Sequence, residues 1–335
     1  MLSALAMSLP TDNSWINFDV PSLIQNFWSA TFDGLTFGAI YALVALGYTL
    51  VYGVLNLINF AHSEVFIMGC YGVFFTLSFL GFGPSVPNLD IWSIVLNLVL
   101  ALIVAMLASA LTAFIVERVA YRPLRRRNAP RLVYLITAIG VSFTIQYSIF
   151  VWRGPNPEVA LTMFRPKPIF EVFGTVIDSQ QLVIVLAAVV MMIATDQFIS
   201  KSRTGRGIRA VAQSPDTATL MGVNKERIII TTFIIGGVLA GAAALFYVMK
   251  IPSGVQYSGG FVLGVKAFAA AVLGGIGNVR GALLGGLLLG LIGNYGQILL
   301  GSSQWTDVVA FVVLVLVLLV RPEGILGTSL GRSKA

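Results

Sequence analysis

The side chains best able to move a proton or hold a polar solute crowd into nine residues. Asn56-Leu-Ile-Asn59-Phe-Ala-His62-Ser63-Glu64 holds the only histidine, a carboxylate and two carboxamides, between two apolar runs. Ionisable groups at membrane depth are costly and tend to line functional paths. The plainer reading is an interfacial turn, with Ser63 or Asn59 capping the next helix. Both stand on these residues. A hydrolytic site does not fit, since no Ser or Cys nucleophile has an orienting partner and no second His is available for a metal.

Two further groups carry chemistry. Lys266 is a lone cation in the apolar stretch from Gly264 to Asn278, which Gly274, Gly275 and Gly277 then break. It could snorkel to the interface, face a translocation cavity, or pair with an acid such as Glu64. Broken helices hold polar solutes inside bilayers, and a helix N-terminus suits the carboxylate of a zwitterion. The third group is the polar loop from Arg206 to Asn224, with Arg209, Asp216, Ala218 and Gly222. It reads as a short surface helix and a Gly stop. Its small residues would let a partner dock closely, and an ordinary amphipathic loop helix is the alternative.

The elements around these groups follow from composition. The chain has 335 residues, 57% hydrophobic and 10% charged, with mean hydropathy +0.89. Soluble domains carry about 25% charged residues. With 21 Lys+Arg and 14 Asp+Glu the chain cannot cover a water-facing surface, so it reads as a polytopic membrane protein. One Cys excludes a disulfide framework, and with one His no metal cluster is expected. The spans must be helical, because sheet edges leave backbone groups unsatisfied in lipid. At about 20 apolar residues per crossing, candidates are 34–57, 63–82, 92–116, 132–152, 180–199, 228–249, 262–279, 281–300 and 304–320. The count is eight or nine, since 34–57 and 262–279 are Gly-rich or polar-broken and could be discontinuous or re-entrant.

Charge orients the spans. No Lys or Arg precedes Arg118, so there is no basic n-region of a signal peptide. Six arginines face one glutamate over 117–131, six cations face two acids over 201–227, and 153–180 is neutral. Positive loops stay cytoplasmic. That places 117–131 and 200–227 inside, 153–180 and the N-terminus outside, and the tail inside. The net charge of +7 thus reflects orientation rather than a nucleic-acid partner. Small residues at helical spacing (Gly281, Gly285, Gly286, Gly290, Gly293; Gly236, Ala240, Gly241, Ala244) read as close helix packing. Gly34–Tyr71 and Gly236–Gly275 share a pattern that could mark inverted halves. No Walker pattern occurs, so no ATP site is recognisable.

The run Gly34-Leu-Thr-Phe-Gly38-Ala-Ile-Tyr41-Ala-Leu-Val-Ala-Leu-Gly47-Tyr-Thr-Leu-Val-Tyr52-Gly53, followed by Asn59-Phe-Ala-His-Ser-Glu64, resembles the bacterial branched-chain amino acid ABC transporter permeases of the LivH type. Glu117-Arg-Val-Ala-Tyr-Arg-Pro-Leu-Arg125, Leu135-Ile-Thr-Ala-Ile-Gly140, Arg209-Ala-Val-Ala212 and Ala267-Phe-Ala-Ala-Ala-Val-Leu-Gly-Gly275 are similar to the same family, over roughly 30–327. The family has Gly where Ser63 stands, a change that could alter a close helix contact.

The resemblance implies an all-α polytopic bundle, with some discontinuous spans, in the bacterial inner membrane. Residues 1–29 would be an external segment, 30–327 the permease domain and 328–335 a cytoplasmic tail. It implies a second permease subunit in a heterodimer, two cytoplasmic ATPase subunits that bind the ATP, and an external solute-binding protein. The permease itself would be no enzyme and hold no cofactor. Asp216-Thr-Ala218-x-x-x-Gly222 resembles the Glu-Ala-Ala-x-x-x-Gly coupling loop of ABC importers, with Asp for Glu and Thr for Ala. On this reading Asn56, Asn59, His62, Glu64 and Lys266 belong to the path or gate, and Arg209, Asp216, Ala218 and Gly222 to the ATPase interface. The stretch around Pro155, Pro157, Pro166 and Pro168 would be a rim for the binding protein, or a plain connection. The competing reading is a stand-alone secondary transporter of a small polar solute, with Glu64 coupling to protons.

Overall fold

A computed structural model describes residues 18–83, 90–158, 166–172, 174–251, 254–302 and 305–327. Most of the expected N-terminal segment, part of the Pro155–Pro168 stretch and the tail 328–335 lie outside the described residues. The helices are α1 (Val20–Gln25), α2 (Phe27–Leu55), α3 (His62–Phe79), α4 (Ile91–Val116), α5 (Arg122–Arg126), α6 (Arg131–Arg153), α7 (Ser179–Lys201), α8 (Arg203–Gln213), α9 (Pro215–Leu220), α10 (Lys225–Lys250), α11 (Gly259–Gly274), α12 (Val279–Leu299) and α13 (Trp305–Val320). A π-helical turn, Glu117–Tyr121, joins α4 to α5. Strands β1 (Pro168–Val172) and β2 (Thr175–Asp178) pair antiparallel in a short hairpin.

Among the described residues six helices are long and apolar enough to cross a membrane: α2, α4 with its extension, α6, α7, α10 and α12. The apolar helices α11 and α13 are shorter, and α3 opens on the polar residues His62, Ser63 and Glu64. All nine expected stretches are therefore helical. The suspected break in 34–57 is absent, because α2 runs unbroken for 29 residues. It contains no proline, and Gly34 and Gly38 serve a helix contact instead of a kink. The stretch 262–279 does end early, at Gly274, where Gly275 (φ 107°) and Gly277 (φ 92°) turn the chain into α12.

Burial sorts the helices. The most apolar window of α2 is 83% buried and that of α10 67%, against 22% for α4 and α6. A helix that is apolar all round belongs in a core, so α2 and α10 form the axis of the bundle. They run antiparallel: Lys250 Nζ meets Asp33 Oδ1 at 2.7 Å, and Gly47 faces Gly236. Helices α4, α6 and α7 turn Leu, Val and Ile outward, as a lipid-facing surface must.

Around that axis the packing is doubled. Helix α2 packs on α12 as α10 packs on α4; α3 packs on α4 as α11 packs on α12; α3 touches α10 as α11 touches α2. Both large contacts are backbone-close and antiparallel. A Cβ on Gly38 would lie 2.9 Å from Leu287 Cα, and one on Gly237 2.8 Å from Ala110 Cα. Gly286 likewise abuts Ala42, and Gly241 abuts Ala105. Since α2 and α10 point opposite ways, the two halves are related as an inverted repeat.

One end of the bundle carries the hairpin and the other the basic loops. At the hairpin end the side chains of Asp178 and Gln181 form a capping box that starts α7, and Glu158 bridges to Val255 on the α10–α11 connection. At the basic end Ser202 caps α8 and Asn224 caps α10.

Candidate functional site

The polar stretch 56–64 is no surface turn. Asn56 ends α2 in the left-handed region (φ 51°), and the chain then re-enters the bundle. The His62 ring occupies the space that a Cβ on Gly47 would need and packs edge-on to Tyr48 at 4.8 Å between ring centroids. Gly47 lies eight residues from the end of α2, about 12 Å along its axis. Helix α3 therefore starts inside the bundle, and of the two readings of this stretch the interfacial turn does not fit. Neither Asn59 nor Ser63 caps it: its N-cap is Ala61, without a side-chain bond.

What gathers at this start is a buried polar cluster. Glu64 is fully buried, and its Oε1 accepts from Ser142 Oγ of α6 at 3.1 Å. The Ser63 hydroxyl lies 2.7 Å from Phe60 O and 3.3 Å from Glu64 Oε1; its single proton favours the carbonyl. Glu64 Oε2 has no hydrogen-bond partner among the described residues and faces Gly260 at the N-terminus of α11. Asn59 Oδ1 accepts from Tyr121 Oη at 2.7 Å and from the Ala61 amide at 3.1 Å. Ser63 lies where a Cβ on Gly264 would fall, so glycines on α11 absorb the bulk that Ser63 adds on α3.

Asn59, His62 and Glu64 thus come together, while Asn56 and Lys266 go elsewhere. Lys266 does not pair with Glu64. Its ammonium forms an ion pair with Asp307 of α13 and lies 5.8 Å from the Tyr41 ring centroid. That pair lines a cavity of about 320 Å³ near the hairpin end, with Tyr41, Asn294, Gln297 and Thr306. Asn56 lines a cavity of about 890 Å³ at the basic end, with Thr49, Tyr52, Arg209 and Ile276. Past Thr49, Tyr52 and Ile276 only a gap of about 10 Å³ remains, walled by Tyr48, Asn59 and Phe268. That holds at most one water. The two cavities therefore approach one seam, between α2 and α11, from opposite ends, and Tyr48 and Phe268 close it.

The basic-end loop divides in two. Arg209 turns inward and donates to Ser200 O at 3.2 Å and to Ile199 O, covering the carbonyls that end α7. Helix α9 faces out. Asp216 is almost fully exposed and 3.9 Å from Lys225, while Ala218 is buried beneath. Gly222, at φ 82°, takes the left-handed turn that stops α9. Just before it Leu220 and Met221 are 88% and 81% exposed, an apolar pair on the basic-end loop.

Several of these residues escaped the sequence reading. Asp307, an acid at the head of an apolar stretch, and the Leu220-Met221 pair before Gly222 were visible signals. Ser142 and Tyr121 were not, since a hydroxyl in an apolar helix is unremarkable until its partner is known.

Residues 30–318 match the family described as branched-chain amino acid transport system / permease component. The high-affinity branched-chain amino acid transport system permease protein BraD of Pseudomonas aeruginosa is 41% identical over 308 residues, 91% of this chain and 97% of that protein. The corresponding permease protein LivH of Escherichia coli K12 is 39% identical, covering 90% of this chain and 96% of that one. The fructose import permease protein FrcC of Rhizobium meliloti is 26% identical over 52% of this chain and 51% of its own length. No solved structure matches.

Proposed function

Because the chain belongs to the permease-component family of branched-chain amino acid transport systems, we propose that it carries branched-chain amino acids across the bacterial inner membrane as one membrane subunit of an ATP-driven importer. The observation that carries the reading is the pair of cavities that enter from opposite ends and stop on the α2–α11 seam. Alternating access needs one path closed at one level and open in turn to each side. In this role Tyr48 and Phe268 are the closure. Asn59, His62 and Glu64 are polar groups beside it, Lys266 stands on the hairpin side, and Asn56 lines the exit.

The basic end faces the cytoplasm by the distribution of Lys and Arg, which puts the hairpin outside. One of the two ATPase subunits docks on α9 through Leu220, Met221, Asp216 and Thr219; Ala218 seats the helix and Gly222 ends it. Arg209 supports this surface from below by holding α8 to α7. A second permease subunit completes the membrane part, and a solute-binding protein delivers substrate at the hairpin end. Such a protein sets much of the selectivity, because an apolar pocket separates substrates by only about 1–3 kcal/mol per methylene.

Purification of the tagged chain in mild detergent tests the assembly: two ATPase copies and a second permease are expected. Uptake of labelled leucine by the reconstituted complex tests the substrate. A stable particle of this chain alone that accumulates solute on a proton gradient without ATP overturns the reading in favour of a secondary transporter.

A further inference from the structure

We propose that Glu226, Arg125, Glu117 and Tyr121 form a relay that ties the α9 docking surface to the buried cluster at the start of α3, acting as positioning residues for transport. The proposal rests on the docking and path assignments above. It starts where α9 is fixed to α10: the Val223 amide donates to Ala218 O at 3.0 Å, and Asn224 Oδ1 accepts from the Arg227 amide at 3.0 Å. A force on α9 is therefore borne by the first turn of α10, where Glu226 stands.

Glu226 is gripped from the other basic loop. Arg125 donates to its two oxygens from Nε at 3.1 Å and Nη2 at 2.9 Å, a fork that fixes orientation as well as distance. Arg122 Nε adds a contact at 3.4 Å. The same Arg125 Nη2 lies 2.6 Å from Glu117 Oε1, and Glu117 is fully buried. A buried carboxylate that loses its only cation is strongly destabilised, so Arg125 cannot follow Glu226 without drawing Glu117 along.

Glu117 opens the π-helical turn, and Tyr121 closes it. An inserted π turn changes the phase of the helix and is often found at functional sites. Here it aims Tyr121 into the bundle, its ring 5.4 Å from Phe233 and 6.2 Å from Tyr134. The hydroxyl ends on Asn59 Oδ1, which also holds the Ala61 amide directly before His62. Each link is a hydrogen bond, an ion pair or one stiff helical turn. The inverted repeat supplies a control, because α12, the counterpart of α4, ends among the described residues without a π turn.

The test uses the complete importer in proteoliposomes, with ATP hydrolysis and leucine uptake read on one preparation. Tyr121→Phe removes one hydroxyl, and Glu226→Gln leaves Arg125 on Glu117, so both are mild. The relay predicts that each variant keeps its ATPase subunits and hydrolyses ATP within about two-fold of the parent, while uptake per ATP falls about ten-fold. Unchanged uptake per ATP in both variants overturns the relay. So does a parallel fall in hydrolysis and uptake with a lowered melting temperature, the mark of a structural staple. Leu220→Asp separates the premise: if the ATPase subunits still bind and drive uptake in that variant, the docking assignment fails whatever Tyr121→Phe does.

Discussion

The halves α2–α4 and α10–α12 share one packing plan and differ in where they keep their polar groups. In the first half the polar groups sit at the break: α3 starts deep in the bundle on His62, Ser63 and Glu64, and Glu64 has only neutral hydroxyls for partners. In the second half the matching helix α11 starts on Gly259 and Gly260, and its one charge, Lys266, is already neutralised by Asp307. The glycines of α11 admit the side chains of α3. The halves share the frame, and one bears the polar groups while the other is the surface they press against.

The frame itself offers the largest effect. Gly286 on α12 and Gly241 on α10 occupy corresponding contacts, and in each a Cβ would run into the backbone of the facing helix, at Ala42 and at Ala105. Backbone cannot swing aside as a side chain can, so overpacking here exceeds the usual ~1–3 kcal/mol. Gly286→Ala and Gly241→Ala should each cost about 3 kcal/mol or more, read as thermal unfolding in detergent. Similar losses at the two sites support a duplicated frame. A large loss at one and none at the other breaks the comparison.

The unequal polar groups predict unequal phenotypes. Glu64→Gln keeps an acceptor for Ser142 and removes a carboxyl that has no cation beside it among the described residues. Stability should change by less than about 1 kcal/mol while uptake falls by an order of magnitude or more. Lys266→Gln leaves Asp307 without its partner. Asp307 is 41% exposed, so solvent screens the loss and the cost stays near ~1 kcal/mol. Its uptake should fall less than that of Glu64→Gln. The reverse order would move the solute-handling chemistry to the second half.

How much of this could be read beforehand depended on whether a feature is local. Helix extents were legible, because the bilayer sets a length: 132–152 against Arg131–Arg153 and 180–199 against Ser179–Lys201 agree within two residues at each end. The hairpin was overlooked although Thr175-Val-Ile177 is a run of three β-branched residues, which favour strands. The depth of His62 stayed open because it depends on Gly47 and Gly236, distant in sequence, leaving room at the bundle axis. The partner of Lys266 stayed open for a similar reason, since a list of charges does not say which helices are neighbours. The π turn left no local trace at all.

The smallest expected effect sharpens the comparison furthest from the seam. Arg280, at the start of α12, donates to both oxygens of Asp196 on α7, at 3.3 and 3.2 Å, and its side chain is 74% exposed. Exposed ion pairs contribute about 0–1 kcal/mol, so Arg280→Ala should shift the melting temperature barely at all. Arg280 also borders the basic-end cavity, beside Asn278 and Gln213. If the second half is only a frame, uptake in Arg280→Ala should match the parent at low and high salt alike. A fall in uptake at unchanged stability would mean that the exit cavity selects by charge. The second half would then contribute chemistry of its own at the basic end, and the division of labour between the halves would follow depth in the membrane rather than the repeat.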